Sequence, residues 1–102
     1  MDKPKILTKE EIYTALLSLS GWTYADDKIS KEFKFADFVG SLNFINRMVG
    51  YFEEVDHHPD VHIFYSKVKF ELQRFDIGGK VTDRDIEVAK YIDKTYATEN
   101  QL

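Results

Sequence analysis

The histidines of this chain lie close together, as His57, His58 and His62. Histidine is the side chain whose ordinary pKa lies closest to neutral pH, so it can both give and accept protons there. Pro59 directly follows the first two histidines and favours an extended backbone before it. This segment is therefore the main candidate in the sequence for a site that does chemistry.

Three interpretations of the segment stay open on spacing alone. In the first, His57 and His58 act as general acid and base, and Glu53, one helical turn earlier, orients His57 or keeps it charged. In the second, histidines and carboxylates bind a metal such as zinc. The pair with the helical i, i+4 spacing, His58 and His62, straddles Pro59, which disfavours one helix carrying both ligands. In the third, the histidines are exposed polar residues in a turn.

The composition excludes other classes of chemistry and partner. The chain of 102 residues contains no cysteine, so thiol nucleophiles, disulfides and thiolate metal sites are excluded. Its formal net charge is −4, and we expect no direct binding of nucleic acid through a general basic surface. No apolar run is long enough for a membrane span or a signal peptide, which predicts a cytoplasmic protein without membrane contact.

A helix and two strands are predicted ahead of the histidines. Thr8 and Glu11 fit a capping box, and the helix that follows is predicted to end at Gly21. Trp22 and Tyr24 indicate a short strand. Alternating apolar and polar residues from Lys28 to Phe35 then predict a half-buried strand.

A second helix, capped by Asp37, is predicted to end because of Pro59. It carries two apolar rows, which are Phe38, Leu42, Ile45, Val49 and Phe52, and Phe44, Met48, Tyr51 and Val55. This apolar surface is either fully buried within one chain or partly covered by a second chain, and both interpretations stay open.

Two more strands, at residues 61–65 and 68–72, and a last helix complete the pattern. Thr82 and Asp85 fit a second capping box at the start of that helix. The order is helix, two strands, helix, two strands, helix. We therefore expect a single domain over residues 1–102, of the α+β class, built as a two-layer sandwich with an antiparallel sheet.

The residues around the histidines resemble a known family, the pterin-4a-carbinolamine dehydratases. The resemblance rests on the core Glu53-x-x-x-His57-His58-Pro59 and extends from about Leu7 to Ile92. It includes Gly21-Trp22, Phe33-Lys34-Phe35, Asp37-Phe38, Tyr65, Gly78-Gly79, Asp83-Arg84-Asp85-Ile86 and Ala89.

The resemblance implies a fold, a reaction and a site. The fold is a four-stranded antiparallel sheet with helices on one face. The reaction converts 4a-hydroxytetrahydropterin, the 4a-carbinolamine, to quinonoid dihydropterin and water, in tetrahydrobiopterin recycling, by homodimers or homotetramers without a metal or cofactor. His57 and His58 would be the acid/base pair. Glu53 and Asp85 would orient histidine or pterin, and the ring would be held by the backbone of Asp60, Val61 and His62.

One position departs from the family pattern. Phe75 stands where the family usually has a third histidine or a tryptophan, and a phenylalanine can pack against a ring but cannot transfer a proton. His62 is extra, and its side chain either enters the site or points to solvent. Two alternatives to the dehydratase therefore stay open. One is a partner-binding, assembly or transcriptional cofactor protein without catalysis, and the other is action on another pterin, as in molybdopterin metabolism.

Overall fold

The computed structural model describes residues 4–74 and 79–99. Within them, helices and strands follow one another in the predicted order. They are α1 (Lys9–Leu16), β1 (Thr23–Ala25), β2 (Lys28–Lys34), α2 (Phe38–Glu54), β3 (Asp60–Phe64), β4 (Lys67–Leu72) and α3 (Asp83–Glu99). This order confirms the α+β prediction. None of the described helices combines the length and the apolar character that crossing a bilayer requires.

The strands form one antiparallel sheet with the order β1-β2-β4-β3. Successive side chains of a strand point to opposite faces. The face that packs against the helices carries buried residues of the two central strands, namely Ile29, Phe33, Val68, Phe70 and Leu72. The other face, which we call the open face, carries Lys28, Ser30, Glu32, Lys34, Asp60, His62, Phe64, Lys67, Lys69 and Glu71. The sheet thus has one buried and one polar face, as predicted.

Aromatic rings form the centre of the core between the sheet and the helices. Phe44 of α2 is fully buried, and its ring centroid lies 5.8 Å from that of Phe33 and 6.0 Å from that of Phe70. Tyr96 of α3 approaches Phe33 to 4.8 Å between centroids. Much of the aromatic content therefore serves to join α2 and α3 to the two central strands.

The first helix begins as predicted and ends earlier. The Thr8 hydroxyl accepts a hydrogen bond from the Glu11 N–H, and the Glu11 carboxylate accepts one from the Thr8 N–H, which confirms the capping box. The helix ends at Leu16, and not at Gly21 as predicted. Gly21 instead has a φ of 88° in the turn that leads to β1, a conformation that glycine adopts without steric cost.

Only one side of α2 faces the core. Its buried residues are Ser41, Phe44, Met48 and Phe52. Phe38, Val39 and Val49 keep 44%, 60% and 45% of their surface exposed. The interpretation in which α2 is fully buried within one chain is therefore wrong.

Candidate active site

His57 is positioned by the way in which α2 ends. Asp56 has a φ of 51°, in the left-handed region. Its N–H bonds to the carbonyl of Glu53 at 3.3 Å, and the N–H of His57 bonds to the carbonyl of Phe52 at 3.1 Å. These two bonds form a Schellman motif, with aspartate where glycine is usual. The helix therefore ends before His57 through this motif, and not because of Pro59 as predicted.

The His57 ring is buried and contacts Asp85, which lies in the first turn of α3. Only 4% of the His57 side chain and 0% of the Asp85 side chain are exposed. The contact joins His57 Nε2 to Asp85 Oδ1. Because a carboxylate only accepts hydrogen bonds, Nε2 must carry the proton. In the neutral ring of this tautomer, Nδ1 carries the lone pair.

His58 forms a second pair with a carboxylate, and this pair is exposed. His58 Nε2 contacts Glu53 Oε2, and the two side chains are 55% and 67% exposed. The prediction that Glu53 orients His57 is therefore wrong. The physical reason is that the helix ends before His57, so His57 does not occupy the position one turn after Glu53.

Two residues that sequence reasoning left out of the site support it. Thr82 donates to Asp85 Oδ2 through its N–H at 2.8 Å and through its hydroxyl at 3.2 Å. Arg84 donates from Nη1 to the carbonyl of Val55 at 2.8 Å, which ties the end of α2 to the start of α3. The Thr82-x-x-Asp85 spacing was a signal for a helix cap, but nothing in it revealed the contact with His57.

A ring stack between the same two helices lies further along them. The rings of Tyr51 in α2 and Tyr91 in α3 are stacked with centroids 3.7 Å apart. Burial raises the pKa of the Tyr51 hydroxyl, and the neighbouring Glu87 carboxylate adds to this effect. The stack and the Arg84 hydrogen bond together fix α2 against α3, so they also fix the distance between His57 and Asp85.

The His62 side chain lies on the open face, away from the helix layer that holds His57. Its Nε2 contacts Glu71 Oε1 at 2.9 Å, and Glu71 also pairs with Lys28 at 3.2 Å. The hydrogen bond from His62 is the main reason why the pKa of Glu71 is lowered. Asp60 shares this face, whereas Val61 points to the helix side, opposite Phe70 in β4. Contact of the backbone at residues 60–62 with a ligand stays a prediction.

The carboxylates of Glu53, Glu71 and Asp85 each contact one of the histidines. In the described part of the chain, no group of three or more His, Asp or Glu side chains is placed to hold a metal ion. Each histidine pairs with a different carboxylate. Phe75 lies outside the described residues, so the prediction about a missing third histidine stays a prediction.

Comparisons with known proteins agree with the resemblance. The family model for pterin 4 alpha carbinolamine dehydratase matches residues 5–95. A protein of Sulfurisphaera tokodaii named "Putative pterin-4-alpha-carbinolamine dehydratase" is 42% identical over 90 residues, which are 88% of this chain and 96% of that protein. A relative of the same name from Sulfolobus acidocaldarius is 40% identical over 88 residues, 86% of this chain and 96% of its own.

A solved structure has the same fold. The chain is similar to a protein of Brucella melitensis described as a transcriptional coactivator/pterin dehydratase, with a TM-score of 0.84 and 32% sequence identity. The match covers 90% of this chain and 99% of that one. This chain therefore belongs to the pterin-4-alpha-carbinolamine dehydratase family.

Proposed function

We propose that the chain dehydrates 4a-hydroxytetrahydropterin to quinonoid dihydropterin and water, in tetrahydrobiopterin recycling, with His57 and His58 as the acid/base pair. The observation that carries this proposal is the presence of two adjacent histidines, each paired through Nε2 with its own carboxylate. The reaction breaks the bond between C4a and the hydroxyl, removes the proton from N5 and forms the N5=C4a double bond. One proton is delivered and one is taken, so two proton-transfer groups balance the step without a metal or a cofactor.

The difference in burial supports a division of roles. The buried Asp85 keeps the proton of His57 on Nε2 and leaves the Nδ1 lone pair available, which suits a base that accepts the N5 proton. The His58 and Glu53 side chains are both exposed, so His58 is open to proton exchange with solvent. We therefore assign to His58 the delivery of a proton to the leaving hydroxyl.

A dehydration assay tests the proposal. Freshly generated 4a-hydroxytetrahydropterin is mixed with the protein, and the absorbance of the quinonoid product is followed. We expect the wild-type chain to exceed the spontaneous rate by about 100-fold or more, as positioned acid and base groups do. The double variant His57→Ala/His58→Ala should run at the spontaneous rate. A wild-type rate equal to the spontaneous one, unchanged in the double variant, would contradict the proposal.

A partner-binding function is the second candidate, and the outward side of α2 favours it. Phe38, Val39 and Val49 are exposed on this side, and Val61 and Ile63 of the edge strand β3 are also 36% and 39% exposed. Exposed apolar patches of this kind commonly mark protein interfaces. The Brucella relative is described as a coactivator as well as a dehydratase. A chain with a stable protein partner and no affinity for pterin would favour this second function.

We propose that a second copy of the chain covers the outward side of α2, to give a homodimer or a homotetramer. Replacement of Val39 and Val49 by glutamate would place two charges in that interface, and burying an unpaired charge is costly. We expect light scattering to give a dimeric or tetrameric mass for the wild type and a monomeric mass for the double variant. A monomeric wild type would contradict the proposal. Lys90→Glu, at an exposed position of α3, is the control for the added charge.

A further inference from the structure

The buried pair of His57 and Asp85 continues to a third residue. Asp85 Oδ1 contacts His57, while Asp85 Oδ2 accepts two hydrogen bonds from Thr82, at 2.8 Å from its N–H and at 3.2 Å from its hydroxyl. Thr82 is fully buried, as Asp85 is. Two donors on one oxygen and the imidazole on the other hold the plane of the carboxylate, because rotation of the carboxylate would break these contacts.

The Thr82 hydroxyl does not make the bond that a helix cap needs. In the capping box of α1, the hydroxyl of Thr8 accepts the N–H of Glu11. At the start of α3 the hydroxyl of Thr82 instead donates to the Asp85 carboxylate, and the Asp85 N–H bonds to the carbonyl of Thr82 at 3.1 Å. The hydroxyl is therefore directed to the carboxylate that contacts His57, and its effect as a cap is reduced.

The backbone of Thr82 is fixed from its other side by the N-terminal segment. Thr82 forms a β-bridge with Ile6. The Leu7 N–H bonds to the carbonyl of Val81, and the Asp83 N–H bonds to the carbonyl of Lys5, both at 3.0 Å. The backbone of Thr82 is therefore held on both sides. A side chain that positions another one needs such a fixed backbone.

We propose that Thr82 is a positioning residue for the reaction, which holds the Asp85 carboxylate so that His57 keeps its proton on Nε2 and presents Nδ1 to the substrate. This inference rests on the proposed function. In a mixture of tautomers, a fraction of the His57 rings would present an N–H where a lone pair is needed. The turnover number would then fall, because these rings cannot accept the proton and because the His57 ring is less well aligned. Substrate binding does not depend on the tautomer in the same way, so KM would change less than kcat.

Three threonine variants of the full chain separate positioning from capping. Thr82→Val removes the hydroxyl and keeps the shape of the side chain, and Thr82→Ser keeps the hydroxyl. Thr8→Val makes the same change in the capping box of α1, which contacts no histidine. Replacing a capping threonine costs about 1 kcal/mol of stability. All three chains are compared with the wild type by circular dichroism, so that any loss of folding is seen directly.

The first measurement is spectroscopic and does not require the protein to have dehydratase activity. At alkaline pH the imidazole is neutral, and its two ring nitrogens have well separated chemical shifts when one of them carries the proton all the time. We expect separated His57 nitrogen shifts in the wild type, in Thr82→Ser and in Thr8→Val, and shifts that approach each other in Thr82→Val. Separated shifts in a folded Thr82→Val chain would overturn the inference.

The second readout is the split between kcat and KM in the dehydration assay. We expect Thr82→Val to lower kcat about tenfold with KM within about twofold, Thr82→Ser to recover most of the loss, and Thr8→Val to match the wild type. An equal loss in Thr82→Val and Thr8→Val would mean that both threonines act only as caps, and this would overturn the inference. If Thr82→Val does not fold, Thr82→Ala is measured by the same two criteria.

The two readouts also separate this inference from the proposed function. If the wild type does not accelerate dehydration, the proposed function fails while the nitrogen shifts still show whether Thr82 holds the tautomer. If the wild type is active and Thr82→Val keeps both its shifts and its kcat, the inference on Thr82 fails alone.

Discussion

Replacing His57 with glutamine is expected to lower kcat for dehydration by about 100-fold or more, the usual contribution of a positioned general acid or base. Glutamine suits the test because its side-chain N–H can still donate to the buried Asp85 carboxylate. It cannot take up a proton. The loss would therefore report the missing proton transfer, since the carboxylate keeps a hydrogen-bond donor.

The control is the same substitution at another histidine. The His62 side chain lies on the open face and contacts Glu71, so we expect His62→Gln to keep kcat within about twofold of the wild type. A His57→Gln chain that is folded and keeps more than a tenth of the wild-type kcat would contradict the assignment of His57 as the base. A large loss in His62→Gln would mean that the open face takes part in the reaction.

Replacing Phe44 with alanine is expected to lower the free energy of unfolding by about 3–5 kcal/mol. Phe44 is fully buried, and its ring lies 5.0 Å from that of Phe35, 5.8 Å from those of Phe33 and Tyr96 and 6.0 Å from that of Phe70. Alanine would leave a cavity where α2 meets the sheet and α3. Domains of this size are stable by about 5–15 kcal/mol, so the loss would be a large share of the total.

Urea denaturation followed by circular dichroism measures this change, and Phe64→Ala is the matched control. Phe64 is 55% exposed on the open face, so the same truncation there should cost about 1 kcal/mol or less. Similar losses for the two variants would mean that the aromatic cluster around Phe44 does not carry the stability that its burial indicates.

The parts of the fold that follow from local rules were predictable. The alternation in β4 predicts the inward side chains of Val68, Phe70 and Leu72, and all three are fully buried. The Thr8-x-x-Glu11 spacing predicts the start of α1, because both hydrogen bonds of a capping box lie within one turn. The histidine pair was also identified from residue types and spacing.

The pairing of histidines with carboxylates could not be predicted in the same way. Whether Glu53 meets His57 or His58 depends on where α2 ends, and Asp56 ends it by adopting a conformation that aspartate takes only in some contexts. The contact of His57 with Asp85 depends on how α3 docks against α2, which no local pattern contains. Composition and spacing therefore identified the candidate groups, and tertiary packing decided which carboxylate each histidine contacts.

The contact between His57 and Asp85 joins residues that are 28 positions apart, with the whole β3–β4 hairpin between them. Closing such a loop costs chain entropy, which is recovered only when the hairpin and α3 have both packed. A chain shortened before α3 would still contain the motif from Glu53 to Pro59 but would lack the carboxylate that orients His57. The contact that holds the His57 ring is therefore complete only when the last helix has docked against α2.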